Sequence, residues 1–169
     1  MKHSLKYSLI VLVSLFSTGL VFAGDLPKPE LTPGATNPDV TQENIRQTIC
    51  VHGYTKTIRP PAYYTNRLKK SQLRQYGYDN THPRDYEEDH LIALSLGGAP
   101  MDDRNLWPQP RNGEWSAKKK DDLEFVLYKM VCKNEISLKQ AQNAIATNWI
   151  EAYKRYVPSH FYYKFKTTD

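Results

Sequence analysis

Residues 87–109, EEDHLIALSLGGAPMDDRNLWPQ, carry the most informative pattern in this chain. An Asp-His pair leads into an apolar run, two glycines permit a tight turn, and Asn-Leu-Trp-Pro follows. A plain core strand would need none of these polar residues. The pattern therefore predicts two short strands joined by a turn. We expect the first strand over residues 90–96 and the second over residues 105–107, ended by Pro108 and Pro110.

Helical patterns surround this pair of strands. Apolar residues recur at helical spacing from Leu123 to Val131, in a helix that should begin near Ser116. Three further elements are expected: a short strand over residues 55–59, a helix over residues 65–76 closed by Gly77, and a helix from a capping box at Ser137 to just before Pro158. The sequence therefore predicts an α+β fold in which a strand–turn–strand–helix unit is packed among additional helices.

The N-terminus has the features of a secretory signal peptide. Residues 1–23 combine a short basic start, an apolar run too short for a comfortable membrane span, and a small-residue cleavage site. Residues 24–40 are rich in proline and predict a leader without helix or central strand. A single domain is then expected over residues 41–169. We expect an exported protein, periplasmic or secreted, with no membrane span after cleavage.

Charge and cysteine content agree with an exported protein. The full chain has a net charge of +5, and cleavage would remove Lys2 and Lys6 and lower it to +3. This mildly basic balance permits a polyanionic partner without requiring one. The chain has two cysteines, and an even number in an oxidising compartment predicts a Cys50–Cys132 disulfide.

The Asp-His pair has the chemistry needed for phosphodiester hydrolysis. The carboxylate of Asp89 is a hard oxygen ligand for a divalent cation, and the imidazole of His90 can take a proton from water near neutral pH. Because the phosphate itself offers oxygen ligands, a protein need supply few of its own. Returning after the turn, Asn105 could brace the loop or orient the imidazole. Asp-His dipeptides also occur by chance, so these neighbours carry the interpretation.

Three segments together resemble the HNH nuclease motif of the ββα-metal (His-Me finger) fold. They are Asp89-His90-Leu91-Ile92, Leu96-Gly97-Gly98 and Asn105-Leu106-Trp107-Pro108. Similarity to small exported bacterial proteins of this type extends over most of residues 24–169. Paired Cys-x-x-Cys zinc knuckles, which many family members carry, are absent from this sequence, and the two cysteines could replace them with a disulfide.

The resemblance implies a role for each matching residue. Asp89 would be a metal ligand, His90 the general base and Asn105 the brace between the strands. The position of a further ligand stays open, because Asn112 has the usual chemistry whereas Glu114 has the usual spacing. The implied cofactor is a divalent cation, foremost Mg²⁺, with Mn²⁺, Ni²⁺ or Zn²⁺ as alternatives.

The implied activity is a metal-dependent endonuclease that cuts DNA, and possibly RNA, with little sequence preference. Candidate phosphate contacts are Arg104, Arg111 and Lys118, although either arginine could instead pair with Asp102 or Asp103. Two alternatives remain open: a non-catalytic nucleic-acid-binding module on the same scaffold, and a structural or interaction protein of the periplasm.

Overall fold

The computed structural model describes the backbone of residues 24–166 and the side chains of residues 24–157. The predicted signal peptide, residues 1–23, lies outside the described residues. Helices and a small antiparallel sheet alternate along the chain: α1 (Tyr54–Ile58), α2 (Ala62–Tyr76), β1 (Tyr86–His90), β2 (Leu106–Pro110), α3 (Ala117–Cys132) and α4 (Leu138–Lys166). The mixed helix and strand content agrees with the α+β prediction.

The two strands pair as expected, but their bounds differ from the predicted ones. β1 and β2 are antiparallel, with Glu88 opposite Pro108 and His90 opposite Leu106. The apolar run after His90, expected to be the strand, instead forms a buried loop with a short 3₁₀ turn over Leu94–Leu96. A short apolar run does not distinguish a strand from a buried turn by periodicity alone.

Two predictions about proline and β-branched residues are also wrong. Pro108 and Pro110 belong to β2 rather than ending it, because β1 is the only strand that pairs with β2 among the described residues, and the other edge of β2 tolerates residues without an N–H group. Residues 55–59 were expected to form a strand, but α1 covers Tyr54–Ile58. The Thr57 hydroxyl donates to the Tyr54 carbonyl, so local hydrogen bonds there outweigh the β propensity of threonine and isoleucine.

The predicted helices are present with shifted ends. α2 begins at Ala62, directly after the prolines, and Gly77 closes it in the left-handed conformation. α3 follows Ser116. The Ser137 capping box is formed, because the Gln140 side chain and the Ser137 hydroxyl each bind the other residue's backbone N–H. α4 does not stop before Pro158; its non-helical residue is Asn148.

The proline-rich segment packs against the rest of the chain. It forms no helix or strand of its own, but backbone hydrogen bonds join it to the loop between the strands, including Asn37 N–H to the Gly97 carbonyl and Ala99 N–H to the Ala35 carbonyl. The Trp149 indole donates to the Asp25 carbonyl. Residues 24–40 are therefore a packed strap over the strand loop and α4 rather than a free linker.

α3 and α4 supply most of the core, and a disulfide connects it to the N-terminal half. Leu123, Leu127 and Trp149 are fully buried in this cluster. The predicted Cys50–Cys132 disulfide is present, with a Cα–Cα distance of 5.7 Å, and it joins the end of α3 to the segment before α1. No described helix is long and apolar enough to cross a membrane.

Candidate functional site

The loop between the strands is built around the side chain of Asn105. Its amide oxygen accepts a hydrogen bond from the Ile92 N–H at 2.9 Å, and its amide nitrogen donates to the Ile92 and Ala99 carbonyls at 3.0 and 3.1 Å. The side chain is fully buried. Asn105 therefore supplies hydrogen bonds that a third strand would otherwise provide, and it fixes the backbone that follows His90.

Gly98 permits this close packing. A Cβ atom there would lie 1.7 Å from the Ile92 carbonyl oxygen and 2.8 Å from the Asn105 amide nitrogen. The overlap with the carbonyl oxygen is severe, and the distance to the amide nitrogen is also shorter than real Cβ contacts. The second glycine of the Gly-Gly turn is thus required by the close approach of the Ile92 carbonyl, which Asn105 holds in place.

The imidazole of His90 is buried at the end of β1 and held by one hydrogen bond. Its Nε2 atom lies 2.9 Å from the carbonyl oxygen of Pro100. Since a carbonyl oxygen only accepts, Nε2 carries the proton and Nδ1 keeps its lone pair. Burial lowers the pKa of His90, and the positive charges of Lys120 and Arg59 lower it further, against the opposing effects of the Pro100 hydrogen bond and Asp89. The neutral, proton-accepting form therefore predominates at neutral pH.

Asp89 points toward α3 and pairs with a buried lysine. Its Oδ2 atom accepts from the Lys120 ammonium at 2.8 Å, and the same ammonium donates to the His90 carbonyl at 2.6 Å and to the Glu124 carboxylate. Burial alone would lower the pKa of Lys120, but the two carboxylates outweigh it and raise that pKa. Asp89 and Glu124 thus share one permanently charged, fully buried ammonium.

The two candidates for the second ligand, Asn112 and Glu114, are both exposed in the loop between β2 and α3. Among the described residues, no group of three or more histidine, cysteine, aspartate or glutamate side chains could hold a metal ion. The carboxylates that do lie near Asp89 come from the body of α3: Glu124 shares its lysine, and Asp121 has a pKa raised to about 6, first by burial and then by Asp89.

The two arginines predicted to bind phosphate are both paired with carboxylates. Arg104 contacts Asp102 through Nε and Nη2, at 3.0 and 2.6 Å. Arg111 forms an ion pair with Glu87 at 2.9 Å. Each pair is exposed, so water and salt weaken it and a phosphate could compete for the guanidinium. Lys118 is exposed at the start of α3.

A cleft of about 260 Å³ opens beside the Asp89 cluster, between α1, the 3₁₀ turn after His90, and α3. Its lining residues combine charged, hydroxyl and aromatic groups: Thr55, Arg59, Leu94, Ser95, Asp121, Glu124, Phe125 and Tyr128. Arg59 is exposed and forms no ion pair with any described residue. The charge of Arg59 also acts on His90 and helps to lower the pKa of its imidazole.

Three features of this region were not predicted from the sequence: the burial of Lys120, the contact between Glu124 and Lys120, and the position of Arg59 in the lining of the cleft. Lys118, the first of three consecutive lysines, was predicted to contact phosphate, whereas Lys120, the third, is fully buried. A signal was available, because Lys120 precedes Leu123 by three residues and Leu127 by seven, which places it on the apolar stripe of α3. Arg59 had no such signal, since its position depends on how α1 packs.

Comparisons with models of known protein families, with curated proteins and with solved structures found no significant match.

Proposed function

We propose that this protein is an exported, metal-dependent nuclease that hydrolyses phosphodiester bonds in DNA, with RNA as a second candidate substrate. The observation that carries the proposal is the state of His90: a neutral, buried imidazole held by the Pro100 carbonyl, with its free lone pair on Nδ1. A general base needs this combination of fixed orientation and an unprotonated form near neutral pH. The ββα order of β1, β2 and α3 supports the same interpretation.

In the proposed reaction, His90 accepts the proton of the attacking water at Nδ1. Proton transfer leaves an imidazolium, which the Pro100 carbonyl and the nearby Asp89 carboxylate stabilise. Asn105 makes no contact with the reacting atoms; it fixes the loop that follows His90 through its bonds to Ile92 and Ala99. Rigid neighbours keep the base in a productive orientation, which lowers the entropic cost of reaching the reactive geometry.

A divalent cation fits the described residues if it needs little from the protein. Asp89 can offer one carboxylate oxygen, because Oδ2 is bound to Lys120 whereas no described residue forms a hydrogen bond with Oδ1. Mg²⁺ commonly keeps several waters and takes one or two carboxylates together with substrate phosphates. When bound, such a cation would polarise a phosphate oxygen and offset charge on the leaving group. Asn112 or Glu114 remains the proposed additional ligand.

The cleft beside the cluster is the proposed path of the nucleic acid. Arg59 would bind a phosphate, and the exposed ring of Phe125 offers a surface for a nucleobase. Arg104, Arg111 and Lys118 would add contacts at the rim. α3, the helix that follows the two strands, carries acidic as well as basic residues in its first turns, so we expect little sequence preference.

Incubation with supercoiled plasmid tests the proposal. The mature, oxidised protein should nick or linearise the plasmid with Mg²⁺ or Mn²⁺, and EDTA should prevent it. His90→Ala should abolish cleavage, whereas His82→Ala, which changes an exposed histidine, should not. Ni²⁺ and Zn²⁺ are included to identify the preferred cation.

Other outcomes separate the alternatives. If the folded protein cleaves neither DNA nor RNA with any cation, the catalytic proposal fails. Retained DNA binding whose affinity falls steeply with salt would then support a non-catalytic nucleic-acid-binding module. Absence of both cleavage and binding would support a structural or interaction protein of the periplasm.

A further inference from the structure

The ammonium of Lys120 lies in a cradle made of three oxygen atoms. They belong to the carboxylate of Asp89 at 2.8 Å, the backbone carbonyl of His90 at 2.6 Å, and the carboxylate of Glu124. An ammonium has three N–H bonds, so each can be used once. The lysine side chain is 0% exposed, whereas those of Asp89 and Glu124 are 16% and 18% exposed. The cation is therefore enclosed, and its carboxylates reach the surface.

This cradle has the composition of a cation site. Two carboxylates and one backbone carbonyl are the hard oxygen donors that Mg²⁺ and Mn²⁺ take in proteins. Here the donors are already engaged by a cation that belongs to the chain. A divalent ion cannot share the position of the ammonium, because the two positive charges would repel at short range in a poorly solvated place.

Lys120 also contacts the backbone of the proposed base, His90. It binds the carboxylate of Asp89 and the carbonyl of His90, which are consecutive residues at the end of β1. It comes from the first turns of α3, so it also joins that helix to the strand. This lysine therefore engages both a proposed metal ligand and the backbone of the proposed base.

We propose that Lys120 sets the cation affinity of the Asp89 site by acting as its resident cation. Its ammonium holds Oδ2 of Asp89 together with Glu124, and it leaves one oxygen of Asp89 for a divalent ion. The free protein therefore binds such an ion weakly, and the phosphate oxygens of a nucleic acid complete the set of ligands. The inference has two parts. The first, that Lys120 weakens cation binding by the free protein, does not depend on the proposed nuclease function. The second, that nucleic-acid phosphates complete the set of ligands, rests on it.

Calorimetric titration with Mn²⁺, in the absence of nucleic acid, tests the first part. We expect weak binding to the unmodified protein and binding tighter by about tenfold or more to Lys120→Met, the scale on which outer-shell groups tune metal sites. The matched control is Lys119→Met, which removes the same charge from the neighbouring residue, whose ammonium lies over the Trp115 ring at 4.3 Å. Adding Asp89→Asn to Lys120→Met should remove the gain. Equal affinities for the unmodified protein and Lys120→Met would overturn the proposal.

A second measurement avoids the risk that Lys120→Met does not fold. In the unmodified protein labelled with ¹⁵N-lysine, the enclosed Lys120 ammonium should give a protected NMR signal. Mn²⁺ alone at sub-millimolar concentration should leave that signal sharp, and Mn²⁺ with a non-cleavable phosphorothioate oligonucleotide should broaden it. Broadening by Mn²⁺ alone would show that the ion binds tightly beside the ammonium, and the proposal would fail. A signal that stays sharp in both conditions, with Lys120→Met binding Mn²⁺ more tightly, would keep the role of Lys120 and count against the nuclease function.

Discussion

Replacing Glu88 with glutamine should stabilise the protein at alkaline pH and leave its stability near pH 5 almost unchanged. Both carboxylate oxygens of Glu88 are buried, and no described residue forms a hydrogen bond with them. Burial raises the pKa of this carboxyl group from an ordinary value of 4.5 to about 8, with smaller contributions from Asp89 and Asp103 and an opposing attraction from Lys69.

The sign of the effect follows from proton binding. Between pH 4.5 and about 8, the folded protein keeps a proton on Glu88 that the unfolded chain has lost. Stability therefore falls as the pH rises through this interval; the contribution of Glu88 is fully present below the unfolded pKa and lost above the folded one. At about 1.4 kcal/mol per pKa unit, the whole interval corresponds to at most about 5 kcal/mol. Glutamine has nearly the same shape and carries no charge at any pH.

Urea unfolding at pH 5 and pH 9, with EDTA present, measures the effect. The free energy of unfolding of Glu88→Gln should exceed that of the unmodified protein by about 3 kcal/mol or more at pH 9, and by less than about 1 kcal/mol at pH 5. The control is Glu87→Gln, in the same strand, whose side chain is 41% exposed and paired with Arg111. That pair should be worth less than about 1 kcal/mol at either pH. An equal gain for Glu88→Gln at both pH values would refute the argument.

Three further predictions concern the loop, the disulfide and the proposed base. Gly98→Ala should destabilise the protein by about 3 kcal/mol or more or prevent folding, because its Cβ would overlap a backbone carbonyl. Gly77→Ala meets no atom within 4 Å and has only its left-handed φ of 65° to strain it, so it should cost about 1–2 kcal/mol in thermal unfolding. Cys50→Ser, which breaks the bond to Cys132, should lower the free energy of unfolding by about 4 kcal/mol, and reduction of the unmodified protein should have the same effect. If His90 is the base, the acidic limb of the pH–rate profile should lie below pH 6.5, because burial lowers the pKa of its imidazole; a limb above 6.5 would contradict that role.

The sequence predicted the elements with strong periodicity and the long-range covalent link. The apolar stripe of α3, the capping box at Ser137 and the left-handed Gly77 are local features, and each is present. The Cys50–Cys132 disulfide followed from cysteine number and the expected compartment. These features depend on neighbouring residues or on simple counting, so a single sequence is enough to predict them.

The strand boundaries could not be predicted because tertiary hydrogen bonds decide them. The polar residues Tyr86–His90 form β1, where Glu88 faces Lys69 and Tyr64 of α2 while Asp89 faces Lys120 of α3. Such a strand lies between two packed helices, and its polar side chains have partners or neighbours on both sides. Alternation of apolar and polar residues gives no signal in that environment.

In the candidate site, the sequence indicated which residues matter but not how all of their charges pair. The positions of Asp89, His90 and Asn105 in the sequence were informative, since the turn brings Asn105 to the residues that follow His90. Arg104 pairs with Asp102, one of the alternatives that the sequence left open. The Arg111–Glu87 pair and the enclosure of Lys120 were not predictable, because each depends on side-chain directions across different elements.

Two residues outside β1 hold the backbone around His90: Lys120 through its side chain, and Asn105 through its side chain and its carbonyl. The His90 carbonyl accepts from Lys120, the Leu91 N–H donates to the Asn105 carbonyl, and both backbone groups of Ile92 bind the Asn105 amide. The chain can therefore leave the sheet directly after His90 without leaving these buried backbone groups unsatisfied. A residue at the end of a strand is usually free to move, but here its backbone is fixed from both sides. That arrangement orients an imidazole on a small two-stranded sheet, which alone would be too weakly held to do so.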